Sequence, residues 1–468
     1  MLPSIITDEK GLADCPPVVA NPLNPPFLNL PWVLPLVFAG TLFTGLALES
    51  ARPQPDEAPM APDLAEDALL VAEPLPAGDA NAAEAVGDPV ALIEGGAAGR
   101  RGRWRFAPHL DVTGTYDDNI FIQSKNKVAD YILTLAPGAA FGFWDKEDER
   151  ERYLARQHGA SVIDRGGANF LLVDYTAILL GFVRTSSQNA FDQDGRFAWR
   201  WNVGKLTLSG SVHAESKSEA NIDVGGRIRR QTLTTEVRAS YDLSEKTALE
   251  VALFNTWNDP HNFSRTVEWR GEAYVRYATS PLLKLGLGVA AGWVDVEQSA
   301  GRTFEQILAT ADYSLGEKLE VGARAGVDFR QSNGPSGDQT SPIFGLRAVW
   351  IPAAETRIGL EGFRRVETSA FQPDEDILLT GVTLTFQREL RSGFHFIVEG
   401  GYQVSAYTGG GSTSDRTDRY YFIQPGLLYN FAHWGNARVT YTRRSNDSNL
   451  SGSSFDNNQI AVQLSLIY

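Results

Sequence analysis

The last eleven residues, NQIAVQLSLIY at 458–468, constrain this chain more than any other stretch. Side chains of an extended strand alternate between its two faces. Here Ile460, Val462, Leu464, Leu466 and Tyr468 fall on one face, and Gln459, Ala461, Gln463 and Ser465 on the other. One face is oily, the other polar, and the oily face finishes on an aromatic ring. A strand whose apolar side meets hydrocarbon and whose aromatic end sits at the membrane interface has this pattern. The stretch is therefore expected to be the closing strand of a transmembrane β-barrel.

If so, the alternation must recur. From about residue 104 onward the sequence reads as eighteen alternating segments, each near the roughly 9–11 residues that a tilted membrane strand requires. Sixteen is the alternative count, because 145–167 (DKEDERERYLARQHGASVIDRGG) is long where the rhythm requires a tight turn; its Glu/Arg spacing allows a short solvated helix. The connections alternate as well. VG at 203–204, LSEK at 243–246 and IPAAE at 351–355 are short, whereas SNGPSGDQT at 332–340 and TGGGSTSDRTD at 408–418 are long and polar. Short turns on one side and long loops on the other characterise outer-membrane barrels, the turns being periplasmic, and an even strand count leaves both termini in the periplasm. Beyond residue 50 no apolar run approaches the roughly 18 residues of a membrane helix. The expected fold class is all-β, a transmembrane antiparallel up-and-down β-barrel over 104–468.

Strand parity separates lipid-facing from inward positions. In 265–277, Val267, Trp269, Gly271, Ala273, Val275 and Tyr277 share one face, and Thr266, Glu268, Arg270, Glu272, Tyr274 and Arg276 the other. An arginine at the bilayer midplane costs about 2–4 kcal/mol, so the charged face is expected to look into a watery interior. Carried along the array, the same parity gives Arg196, Arg200, Arg238, Glu268, Arg270, Arg276, Arg324, Arg330, Arg347, Arg357, Glu361, Arg365 and Arg438 as lumen-lining candidates. Both signs are interspersed, which suits pairing between neighbouring strands. The functional reading is a charge ladder that orients polar solutes, with arginine slightly ahead.

The first hundred residues have another character. Residues 29–47 (NLPWVLPLVFAGTLFTGLA) form an apolar core ending in Gly45-Leu46-Ala47, read as a secretory signal in a 1–47 leader with a cut after Ala47; a membrane anchor is the alternative. Residues 48–103 are rich in Ala, Pro, Asp and Glu and are expected to be a disordered periplasmic linker. Most of the net charge of -15 resides here, since residues 1–99 hold 14 carboxylates against Lys10 and Arg52, a balance of -12. The rest is close to neutral, so the acidity carries no message about substrate, and no nucleic-acid partner is expected. Cys15 is the single cysteine and the six histidines are scattered without a local metal or nucleophile motif. No enzyme activity, cofactor or metal is expected; Asp117-Asp118-Asn119 could offer oxygens to calcium, with an ordinary polar loop as the alternative reading.

Two stretches carry resemblances. Leu464, Leu466 and Tyr468 are similar to the C-terminal signal read by the bacterial barrel-assembly machinery. Tyr116-Asp117-Asp118-Asn119-Ile120-Phe121, followed by DYILTLAPG at 130–138, resembles the opening of the putative beta-barrel porin family 2. That resemblance implies an outer-membrane barrel often accompanying exopolysaccharide production and export, without established catalytic residues. The expected function is a porin-like channel or an accessory to exopolysaccharide secretion, contacting outer-membrane lipid and polysaccharide or small polar solutes. The rival is a structural or adhesive barrel plugged by its own side chains.

Overall fold

The structure is a computed structural model that describes residues 69–72, 104–144, 160–163, 169–297, 299–316, 318–332, 337–369, 375–409 and 416–467. The leader, most of the linker, most of 145–167 and Tyr468 lie outside these residues, and with them the expectations about signal cleavage, linker disorder, a helix in 145–167 and the terminal aromatic.

Among the described residues, eighteen strands make up a barrel: β1 (Arg105–Asp117), β2 (Asp130–Trp144), β3 (Phe170–Phe182), β4 (Ala190–Val203), β5 (Leu206–Asn221), β6 (Gly226–Asp242), β7 (Thr247–Pro260), β8 (Thr266–Ser280) and β9 (Leu283–Val296), then β10 (Arg302–Leu315), β11 (Leu319–Ser332), β12 (Gln339–Ala353), β13 (Thr356–Thr368), β14 (Glu375–Arg391), β15 (Phe394–Gly409), β16 (Thr417–Ala432), β17 (Gly435–Ser448) and β18 (Phe455–Ile467). Each pairs antiparallel with its sequence neighbours, and β18 returns to β1, closing the sheet. The count of eighteen holds and sixteen does not. A separate two-stranded sheet joins Leu69–Ala72 to Ala160–Ile163. That second strand occupies part of the stretch where a helix was allowed.

Hydrocarbon thickness underestimates the strands, which run 13 to 17 residues. The excess is polar. Strand β5 runs past the expected 9–11 residues, continuing through Lys217 and Glu219, registered opposite Arg230 and Ile228 of β6. Within hydrocarbon the backbone N–H and C=O groups must pair with another strand; beyond it water could serve, but a neighbouring strand that also continues keeps the ladder paired.

The faces follow parity. On β9, Leu285, Leu287, Val289 and Trp293 are exposed, while Ala290 and Val294, of the opposite parity, are buried. Leu287, at 71% exposure, would be an anomaly in water and is ordinary against lipid. Aromatic rings collect at the ends of this belt, with Phe394 stacked on Tyr429 at 4.1 Å and Phe431 edge-on to Trp434 at 5.5 Å near the short turns. Glycine enables one close inner contact. A Cβ at Gly292 would lie 2.2 Å from the Trp269 carbonyl oxygen and 2.5 Å from Phe304 Cζ, so the Phe304 ring can approach β9 this closely only because residue 292 has no side chain.

Candidate lumen and mouth

Contacts between strands that are not neighbours identify the inner face, since two such strands can meet only across the interior. Arg302 of β10 reaches Asp376 of β14 at 3.3 Å, and Arg330 of β11 reaches the same carboxylate at 3.5 Å. On this side the ladder of charge is dense. Glu272 takes Arg270 at 3.2 Å and Arg324 at 2.9 Å, and accepts the Tyr274 hydroxyl at 3.2 Å. Arg276 bridges Glu250 at 2.5 Å and Asp312 at 3.0 Å. Arg238 bonds Glu236, and Arg365 bonds Glu367. Arginine planes also lie over phenyl rings, Arg270 on Phe254 at 4.4 Å, Arg330 on Phe304 at 5.2 Å and Arg365 on Phe363 at 4.3 Å.

Six of the thirteen candidate residues, Glu268, Arg270, Arg324, Arg330, Glu361 and Arg365, line one cavity of about 150 Å³ between β6 and β13, together with Thr256, Asn258, Phe304 and Gln306. The other seven are elsewhere. Arg276 and Arg238 belong to the ion pairs above; Arg347 stands in register with Glu361 on the next strand. Arg196 pairs with Asp194 at 2.8 Å, Arg200 is buried with its guanidinium over Phe170, Arg438 is buried opposite Leu428, and Arg357 is exposed near the short turns.

Long-range contacts also gather residues that spacing along the chain leaves apart. Asp194, His213 and Glu215 place ligand-type atoms within 4.8 Å of one another. Arg196 at Asp194 and Lys217, 2.7 Å from Glu215, already supply the positive charge there, so the cluster is an ion-pair knot.

The Tyr116–Phe121 motif has a distinct task. Asp117 accepts Asn457 Nδ2 at 2.5 Å, Gln459 Nε2 at 2.9 Å and the Asn119 N–H at 2.7 Å. Asp118 accepts the Asn458 N–H at 2.8 Å and its Nδ2 at 2.6 Å. Asn119 donates to the Gln123 and Asp456 carbonyls at 2.9 and 3.0 Å, and Ile120 is buried beneath. Every contact except those within the loop crosses from β1 to β18. The motif clasps the seam; its carboxylate oxygens are taken by N–H donors, which argues against the calcium reading. Of the assembly-signal residues, Leu464 is exposed on the outer face opposite Val112 of β1, and Leu466 pairs with Leu110.

At the end bearing the long loops the barrel is bridged. The tip between β5 and β6 reaches Ser369, which follows β13, and Arg416, which precedes β16. Sequence reasoning missed Asp223, Ser369 and Arg416 because all three sit in polar connections, where period two says nothing about direction.

The family model described as Putative beta-barrel porin 2 matches residues 287–468. That range excludes the 115–138 stretch on which the resemblance was read, so the two observations are independent and agree. Comparison with curated protein sequences finds no match. Among solved structures, Pseudomonas aeruginosa OccK3 (OpdO) is similar at 12% identity and a TM-score of 0.42, covering 77% of this chain and 96% of that one. Pseudomonas aeruginosa OccK2 (OpdF) in complex with glucuronate aligns at 10% identity and 0.42, over 78% and 98%. A bacterial polysaccharide outer membrane secretin aligns at 10% and 0.32, over 77% and 98%.

Proposed function

We propose that this chain, an outer-membrane β-barrel of the porin type matched to its family over residues 287–468, is a passive channel for small polar solutes. The observation that carries the reading is the cavity on the inner wall, where guanidinium groups, carboxylates, hydroxyls and amides face open space and aromatic rings support them. Such a surface exchanges hydrogen bonds with a polar solute that is shedding its water, and because both signs are present it traps neither ion strongly. At its inward positions Arg270, Arg324, Arg330 and Arg365 stand against Glu268, Glu361 and Glu367, so a slight preference for anions is expected. Transport in support of exopolysaccharide secretion, implied by the family resemblance, is a special case of this reading.

One observation favours a second reading: the bridge across the mouth is what a plugged scaffold barrel would have. Single-channel recording in planar bilayers separates the two. The channel reading predicts steady, ohmic current steps with a reversal potential displaced slightly toward that of the anion under a KCl gradient. An electrically silent, correctly folded barrel would leave the scaffold.

A further inference from the structure

The bridge is built from few parts. The tip residues Ile222 and Asp223 are buried, although they connect two strands at a barrel rim. Gly225, with φ +72, lets the tip turn, and its N–H closes on the Asn221 carbonyl at 2.9 Å. Seven steps around the sheet separate β5 from β16 and β6 from β13, so the partners stand on nearly opposite walls. Arg416 Nη1 donates to the Asp223 carbonyl at 2.8 Å and Nη2 to the Ile222 carbonyl at 3.1 Å; the Asp223 carboxylate lies 3.7 Å from the same guanidinium and accepts Ser369 Oγ at 3.1 Å. Arg416 Nη2 donates to the Asp418 carboxylate at 2.7 Å, and the Arg416 guanidinium lies over the Tyr407 ring at 4.3 Å. Ile222 and Ala220 complete the seat against Tyr420, Phe422, Phe455 and Ile122.

We propose that Asp223 and Arg416 form a latch that holds the β5–β6 tip across the mouth and sets the width of the opening. The tip's main chain is held to the far wall through one guanidinium, which Asp418 and Tyr407 orient in advance. Tightly oriented, charge-assisted hydrogen bonds of this kind have two arrangements, made and broken. With the latch made, the rim above β1, β5, β16 and β18 is covered by the apolar seat, and the remaining opening lies on the side of the Arg270–Arg365 cavity. With it broken, the hairpin tip is free to rise toward its own wall.

The effect on current rests on the channel reading, whereas the position of the tip does not. The experiment measures both on the full chain, with Cys15→Ser and nitroxides at Val224→Cys and Thr417→Cys. A short, narrow spin–spin distance is expected for this parent. For Asp223→Ala/Arg416→Ala the distance should lengthen and broaden, and single-channel conductance should rise roughly two-fold as the opening widens. Ser369→Ala, which removes one hydrogen bond, should fall between them and shows the trend even if the double variant folds poorly. An unchanged distance in folded Asp223→Ala/Arg416→Ala overturns the latch. A lengthened distance with silence from parent and variant alike upholds the latch and overturns the channel.

Discussion

Asp117→Ala should unfasten the seam. Asp117 is 3% exposed and receives donors from Asn119, Asn457 and Gln459. Its removal takes a buried acceptor from three N–H groups; Asn457 Nδ2 keeps Asp118 Oδ1 at 3.2 Å, so at about 1–3 kcal/mol for each lost partner the expected total is about 2–6 kcal/mol. Urea unfolding in lipid vesicles followed by tryptophan fluorescence reads this directly. Asp447→Ala, at a side chain 76% exposed and 3.8 Å from Arg419, serves as the control and should move stability by less than about 0.5 kcal/mol. If the two variants unfold alike, the clasp has no energetic content. The seam is the one place where the first and last strands of the barrel must find each other, which is why its stability reports on closure.

The second large effect is inside the wall. Glu272→Ala removes the carboxylate shared by Arg270 and Arg324 and strands both cations on a buried surface. Breaking a buried ion pair from one side costs about 3–5 kcal/mol. Glu272→Gln should cost less, because the amide oxygen still accepts from Arg324. Pairing Glu272→Ala with Arg324→Met should recover part of the loss, as one of the two stranded charges is gone. A double variant no more stable than Glu272→Ala would mean that the arginine is served by other groups, Gln306 at 3.4 Å being the nearest.

How far the sequence was legible depends on what period two encodes. Alternation tells which face a side chain joins, and that was enough for the strand count, the closed sheet and the lipid belt around Leu287 and Val462. It is silent on partners. Asp117 and Asn457 are 340 residues apart, so the Tyr116–Phe121 motif could be picked out without its purpose being visible. Strand ends were placed short, because hydrocarbon thickness sets only the minimum length; the polar continuations of β5 and β17 follow from pairing above the membrane. The mouth was the least legible part. Asp223, Ser369 and Arg416 lie in connections that composition marks only as polar, and their meeting depends on the β5–β6 tip reaching across to strands seven steps away in the sheet.

The central claim is that the oily faces of these strands touch hydrocarbon while their polar siblings stay wet. Strand β14 tests it most directly, since Val382 and Leu384 are exposed outward and Thr383, Thr385 and Gln387, partly accessible, occupy the other face. Nitroxides placed singly at 382 to 387 in vesicles should alternate, with 382, 384 and 386 relaxed by oxygen dissolved in the bilayer and 383, 385 and 387 by a water-soluble nickel chelate. Loss of that period, or equal access of the chelate to all six positions, would contradict the account.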